Sequence, residues 1–320
     1  MGLVYHNGRF IPEEHIEKAI TQDATLRLLR SFLDSNEPFL VRFLVNTWRS
    51  QGLAITYKEI REAILRGNID PEWLEDWMQD YAKLVKKVML PAWEKAIEAG
   101  FAAKAQEFPA FYFNPMADSI RTWTSTHSAE FVTNVSTAQI EGLRAVIHRA
   151  ASLEDLTVDE LARAIRPMIG LTKQDAEANL RYFENLRANG VTPKLARDKA
   201  LRDAARRHRA RAYTVARTEL ATAYNTGAHE ATKEAQAKGY LGHVVKVWAV
   251  ADDERTCPFC GGMDGKEVEM DDRFPGISRS WSTLLHPPAH PRCRCCCLYV
   301  QKEPPEKIVE RQFKFQKFVV

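Results

Sequence analysis

Cysteine is missing from most of this sequence: none occurs before Cys257, and all six then fall in two short pieces, Cys257 to Cys260 and Cys293 to Cys297. Long apolar runs are missing as well. No stretch approaches the ~18 apolar residues that a membrane helix needs, so no membrane role is expected. The opening MGLVYHNGRF lacks the charged-then-apolar layout of a secretory signal, and His6 stands where a myristoylation motif wants Ser or Thr; a cytoplasmic setting is the expectation. A dominant charge sign is lacking too. With 45 basic against 42 acidic residues the formal charge is only +3, so bulk charge does not make the protein a nucleic-acid binder, and any such role must rest on local clustering. His-Glu-x-x-His does not occur, nor does His-x-Glu before Pro-Cys-x-x-Cys, which removes the motif support for a zinc protease or a zinc deaminase.

Strand signals are scarce up to about residue 237, and helix punctuation is plentiful. Thr56-Tyr-Lys-Glu59, Ser136-Thr-Ala-Gln139 and Thr157-Val-Asp-Glu160 read as capping boxes, in which a hydroxyl and a carboxylate or amide satisfy two orphan backbone donors. Asp70-Pro71 and Thr192-Pro193 place a cap before a proline at the first helical position. Trp73, Trp77, Tyr81, Leu84 and Val88 recur at helical spacing, and Pro91 is expected to kink or end that helix. Two helices are expected from Met116 to Arg149, with Ile120, Trp123, Phe131, Ile140, Leu143 and Ile147 buried. Thr172 to Gly190 forms another, and a long helix or helix pair runs from Pro193 to Lys238, ending at Gly239. After Gly239 the texture changes: His243 to Val250 is β-branched and partly alternating, a strand, followed by turn-rich segments. The expected fold class is α+β, a mainly α-helical N-terminal body followed by a small zinc-stabilised β-rich C-terminal module. The divisions are 1–110 (helical, role unassigned), 111–238 (helical body with a basic helix), 239–301 (Cys/His module) and 302–320 (tail).

Two clusters carry chemistry. Cys257-Pro-Phe-Cys260-Gly261 has knuckle spacing, which lets two sulfurs face one ion from a tight turn, and the glycines after it are expected to permit that turn. His290-Pro-Arg-Cys293 offers an imidazole and a thiolate at equally short spacing. The ligand set is therefore Cys257, Cys260, His290 and Cys293, with Cys295 as the alternate because residues two apart on a strand share a face. Cys296 and Cys297 read as core residues. Four protein ligands close the coordination shell, so a Zn²⁺ here would be structural. Disulfides are disfavoured in a reducing compartment and in a chain long enough to build a core. The second cluster is basic: Lys194, Arg197, Arg202, Arg206, Arg207, Arg209 and Arg211 could neutralise phosphates of double-stranded DNA without sequence preference, or meet a protein partner. Glu267-Val-Glu269 resembles the Glu-x-Glu of ADP-ribosyltransferases, and reads more simply as a solvated strand face.

Ala216-Arg-Thr-Glu219 with Asn225, Lys246-Val-Trp248, Asp253, Arg255-Thr-Cys257-Pro-Phe-Cys260, Asp264-Gly265-Lys266, Pro287-Pro288 and His290-Pro-Arg-Cys293-Arg-Cys295 together resemble the phage Mu F-like minor head protein family. The likeness is strong over about 210–300 and softer over 115–210. It implies a minor capsid or head morphogenesis protein of the virion or prohead interior, present in the host cytoplasm during assembly and associated with portal or capsid proteins, and it implies no enzyme. Arg217, Glu219 and Asn225 are then a structural motif linking the long helix to the zinc module. The alternatives are a metal-dependent enzyme acting on nucleic acid or protein, or a stand-alone DNA-binding module.

Overall fold

The computed structural model describes the backbone of residues 3–6, 9–12, 16–105, 117–251, 253–278 and 281–303, and side chains over 22–104, 117–251, 253–275 and 284–303. Asp252 and the tail beyond 303 lie outside the described residues. The chain opens with a hairpin, β1 (Leu3–His6) against β2 (Arg9–Pro12). Such short strands carry too few residues for alternation to be legible in the sequence. The helices that follow are α1 (Ile16–Ala54), α2 (Tyr57–Arg66), α3 (Glu72–Leu84), α4 (Leu90–Ala105), α5 (Asp118–Ala151), α6 (Val158–Ile165), α7 (Lys173–Ala188) and α8 (Pro193–Ala237). The C-terminal part carries β3 (Val244–Ala249), α9 (Pro258–Met263), β4 (Glu267–Glu269), β5 (Phe274–Ser278), β6 (Trp281–Leu284) and β7 (Cys296–Gln301). The protein is α+β, chiefly helical, with a three-stranded antiparallel sheet in order β4-β3-β7 near its C-terminus.

Several helix ends follow from local chemistry. Thr56 and Thr157 form complete capping boxes with Glu59 and Glu160. The Asp70 carboxylate accepts from the Glu72 amide at 3.1 Å, just ahead of α3. Gly190 and Gly239 end α7 and α8 in the left-handed region, at φ +77° and +72°. Three expectations change. Where two helices were expected between Met116 and Arg149 a single one, α5, runs through, and Trp123 on it is only half-buried. Ser136 caps nothing, because α5 runs unbroken through it; the Ser136 hydroxyl is buried without a partner, and Gln139 is drawn into a polar knot instead. Pro91 does not end its helix either. A π-helical turn over Val85–Met89 precedes it, and a widened turn is the usual way for a helix to absorb a missing N–H and a ring-to-carbonyl clash.

Contacts divide the chain into two compact units, each of non-contiguous segments. One comprises Leu33–Lys95 and Met116–Leu220. Its interior holds Trp48, Tyr81, Trp93, Phe183 and aliphatic residues around a polar knot. There Trp48 Nε1 donates to Tyr81 Oη at 2.8 Å, Tyr81 donates to Gln139, and Gln139 Nε2 donates to Gln51 Oε1 at 3.1 Å. Burying these groups is tolerable because they bond one another.

The other unit comprises Met1–Phe32, Ala96–Pro115 and Ala221–Val320. Here β3 lies between β4 and β7, and all six of its residues are buried. Sheet register sets Cys296 opposite Ala249 and Cys297 opposite Trp248. The last third of α8 meets α4 backbone to backbone: a Cβ on Gly100 would lie 2.0 Å from the Tyr224 carbonyl oxygen, and one on Gly227 would lie 2.1 Å from that of Ile97. Only glycine permits this approach.

Candidate metal centre

The first clip is the start of α9. Cys257 occupies the cap position, Pro258 takes the first helical position, and the Cys260 amide donates to Cys257 Sγ at 3.4 Å. Gly261 and Gly262 do not serve the turn as expected: they lie inside α9, and a Cβ on either would meet open space. The glycine the backbone does require is Gly265, at φ +74°. The second clip is the turn His290-Pro291-Arg292-Cys293, closed by Cys293 N–H to His290 C=O at 3.1 Å. Proline at the second position and φ +64° at Arg292 are the signature of a type II turn, with a long side chain where glycine is favoured.

These clips bring five donors together. Cys257, Cys260 and His290 form one group, and Cys260, Cys293 and Cys295 another; within each, the donor atoms lie within 4.8 Å of one another. His290 Nε2 is 3.2 Å from both Cys257 Sγ and Cys260 Sγ, and Cys260 Sγ is 3.8 Å from Cys293 Sγ. A tetrahedral zinc with Zn–S bonds of ~2.3 Å and Zn–N of ~2.0 Å has S···S edges of about 3.8 Å and S···N edges of about 3.5 Å, so the spacings within each group suit an ion; the two groups share Cys260, and neither holds all four expected ligands. Disulfides are not formed: all six thiols are free. His290 is also oriented for the purpose. Its Nδ1–H donates to the Pro291 carbonyl at 2.9 Å, which directs the Nε2 lone pair at the sulfurs.

Electrostatics favour a cation. Cys260, Cys293 and Cys295 are buried together, and hydrogen bonds from Cys260 and Cys295 hold the Cys293 thiol down to about 2 while the other two are pushed up. A divalent ion beside these three desolvated sulfurs would favour their deprotonated forms. Cys296 and Cys297 differ. They sit in β7, and burial pushes Cys296 up to about 12 and Cys297 higher still, so both remain thiols.

Residues of the family-like motif tie the two clips. The Arg294 guanidinium makes two hydrogen bonds of 2.5 Å to Asp253, holding that carboxyl down to about 2. Arg294, lying between two candidate ligands, was missed as a structural residue; its place in Cys-Arg-Cys next to an Asp-bearing loop was the available signal. Asp264 Oδ1 accepts from the Val250 amide at 3.1 Å and from Gln22 Nε2 at 3.2 Å. Lys246 is fully buried, and its ammonium donates to the carbonyls of Asp272 at 2.7 Å and Leu285 at 2.9 Å, although burial pushes its pKa down.

The α8 motif residues do not all link the helix to the Cys/His module as expected: Asn225 reaches it, while Arg217 and Glu219 pair with residues of α1 and α5. Asn225 Nδ2 reaches the Cys295 carbonyl at 3.5 Å, Arg217 pairs with Glu37 and Asp34, and Glu219 meets His127 Nε2 at 2.6 Å. His127, stacked on Trp123 with ring centroids 4.5 Å apart, carried no sequence signal. Of the basic stretch, Arg206 and Arg207 pair with Asp203, Arg207 also with Asp175, and buried Arg211 donates to the Gly170 carbonyl. Lys194, Arg197, Arg202 and Arg209 make no ion pair among the described residues. Glu267 and Glu269 are exposed on β4 and pair with Lys302 and His243.

Fold and site together define a mainly helical protein with a small sheet module carrying a Cys/His donor cluster. Residues 156–298, which include every donor, match the family described as Phage Mu protein F like protein, so that this segment is similar to that family. No curated protein and no solved structure matches it. Among the described residues no helix is long and apolar enough to cross a membrane.

Proposed function

We propose that this protein is a minor structural component of a phage head, acting with portal or capsid proteins during assembly, and that one Zn²⁺ clips its C-terminal module. The observation that carries the metal reading is the pair of three-donor groups that share Cys260, with the oriented His290 imidazole and the Cys293 sulfur each near a tetrahedral edge length from Cys260 Sγ. Soft thiolates with an imidazole select zinc over magnesium or calcium. Cys257, Cys260 and His290 would supply three ligands, and Cys293 the fourth, with Cys295 as its substitute. A filled shell holds the clips and leaves no open position for a substrate, which favours assembly over catalysis.

Metal analysis of the purified chain should find about one zinc per molecule. Cys257→Ser should lose the metal and the fold of the module together; a folded variant that keeps its metal would refute the clip, and one that loses only a turnover would favour an enzyme. Particles assembled without the protein should be malformed or poorly infectious, and portal protein should co-purify with it. Normal infectivity would end the assembly reading.

DNA contact is a second reading, supported by the unpaired cations of α8. Lys194, Arg202 and Arg209 fall within ~80° of one another around the helix, with Arg197 at its edge. Binding to duplex DNA should weaken steeply with salt, and a flat salt response would remove this reading.

A further inference from the structure

A cleft of 420 Å³ opens in the unit formed by Leu33–Lys95 and Met116–Leu220, within the range of sites that hold small ligands or anchor side chains. Its walls are apolar: Trp48, Tyr57, Pro167 and Leu201 line it. Leu53, Tyr57 and Leu201 are 62%, 46% and 49% exposed, and three such side chains around one cleft form a patch of the kind that marks a binding surface. Arg166 braces one wall, lying 4.5 Å over the Tyr57 ring and donating to the Gly52 and Leu53 carbonyls at 2.8 and 2.9 Å.

One further observation says what the cleft would take. Arg49 and Arg209 are exposed at the rim without an ion pair among the described residues, and no carboxylate is among the residues that line the cleft. His208 also lines it, but its Nε2 is buried and offers no surface to a ligand.

We infer that this cleft docks an acidic peptide segment of a partner protein through a large aromatic side chain, the ring between Trp48 and Leu201, and flanking carboxylates on Arg49 and Arg209. The inference stands apart from the metal reading and uses none of its residues.

Calorimetric titration of the full chain tests it with four acetylated, amidated peptides: EDWDE, EDFDE, EDADE and KRWRK. EDWDE should bind. EDFDE, which keeps an aromatic ring and the charges, should bind within about threefold of EDWDE, and EDADE and KRWRK at least roughly tenfold more weakly, losing the ring and the charges respectively. Leu201→Glu and the double variant Arg49→Glu/Arg209→Glu alter exposed positions, so melting should be unchanged while EDWDE affinity falls about tenfold or more. No binding of EDWDE, equal binding of KRWRK, or undiminished binding in both variants would overturn the proposal. A loss with EDFDE as large as that with EDADE would overturn the aromatic anchor. A 20-base-pair duplex that binds through Arg49 and Arg209 while EDWDE does not would show that the rim serves a polyanion.

Discussion

Replacing Gly227 with alanine probes one of the two closest approaches of α8 to α4 among the described residues. The added Cβ would stand 2.1 Å from the Ile97 carbonyl oxygen and 2.7 Å from Ile97 Cα, against the 3.4 Å at which ordinary contact begins. Both obstacles are backbone of α4, so no rotamer change relieves them, and α4 and α8 must separate by about an ångström. Overpacking of this kind costs about 1–3 kcal/mol, and an immovable obstacle puts it at the upper end. Alanine returns about 1 kcal/mol in helix propensity. The net is a destabilisation of about 2 kcal/mol. The displacement should also reach the metal centre, because Asn225 Nδ2 to Cys295 O at 3.5 Å and Thr226 Oγ1 to His286 Nε2 at 3.2 Å hang on the same turn of α8 and would be stretched past hydrogen-bonding range. Urea unfolding followed by circular dichroism would read the first effect, and zinc release to a chromogenic chelator the second. Gly261→Ala, whose Cβ enters open space, is the control. A Gly227→Ala midpoint equal to or above that of the parent would refute the argument, because it would mean that the helices do not touch there.

Three other outcomes follow from the same geometry. The Asp253 carboxyl is held low by Arg294, so its stabilisation is present above the unfolded value of ~3.9 and is lost as pH falls through the folded value of about 2. With a side chain 21% exposed, Asp253→Asn should cost about 1 kcal/mol at neutral pH after screening, and a gap that failed to close between pH 4 and 2 would count against the pairing. Arg292 pays for a left-handed turn residue: Arg292→Gly should be neutral or more stable by up to about 1 kcal/mol, and Arg292→Val less stable by about that much, as thermal melts of the metal-loaded protein would read. Zinc stoichiometry should survive Cys296→Ala and Cys297→Ala but not Cys257→Ser; loss in the first two would place the ion elsewhere.

Local rules were enough for a good part of this protein. The hydroxyl-to-carboxylate boxes at Thr56 and Thr157, the stop at Gly239 and the stripe from Trp73 to Val88 depend on neighbours within a few residues, so the linear order contains them. Cysteine spacing likewise marks the two clips of the candidate metal centre, because each clip is a single turn. Where the reading slipped, a distant surface decided. Ser136 reads as a cap until Tyr81 and Gln51 claim Gln139, and Pro91 reads as a stop until packing sustains the helix on both sides of a π turn. Even charge is settled in three dimensions: Lys194 and Arg211 look alike in the sequence, yet one faces solvent while the other is buried against the Gly170 carbonyl. Residues alone determined which donors, caps and apolar faces were on hand. Which of them meet depends on long-range contacts, chiefly the backbone approach at Gly100 and Gly227 and the Asp253–Arg294 tie, because contact energies fall off within a few ångströms and only the folded chain sets those distances.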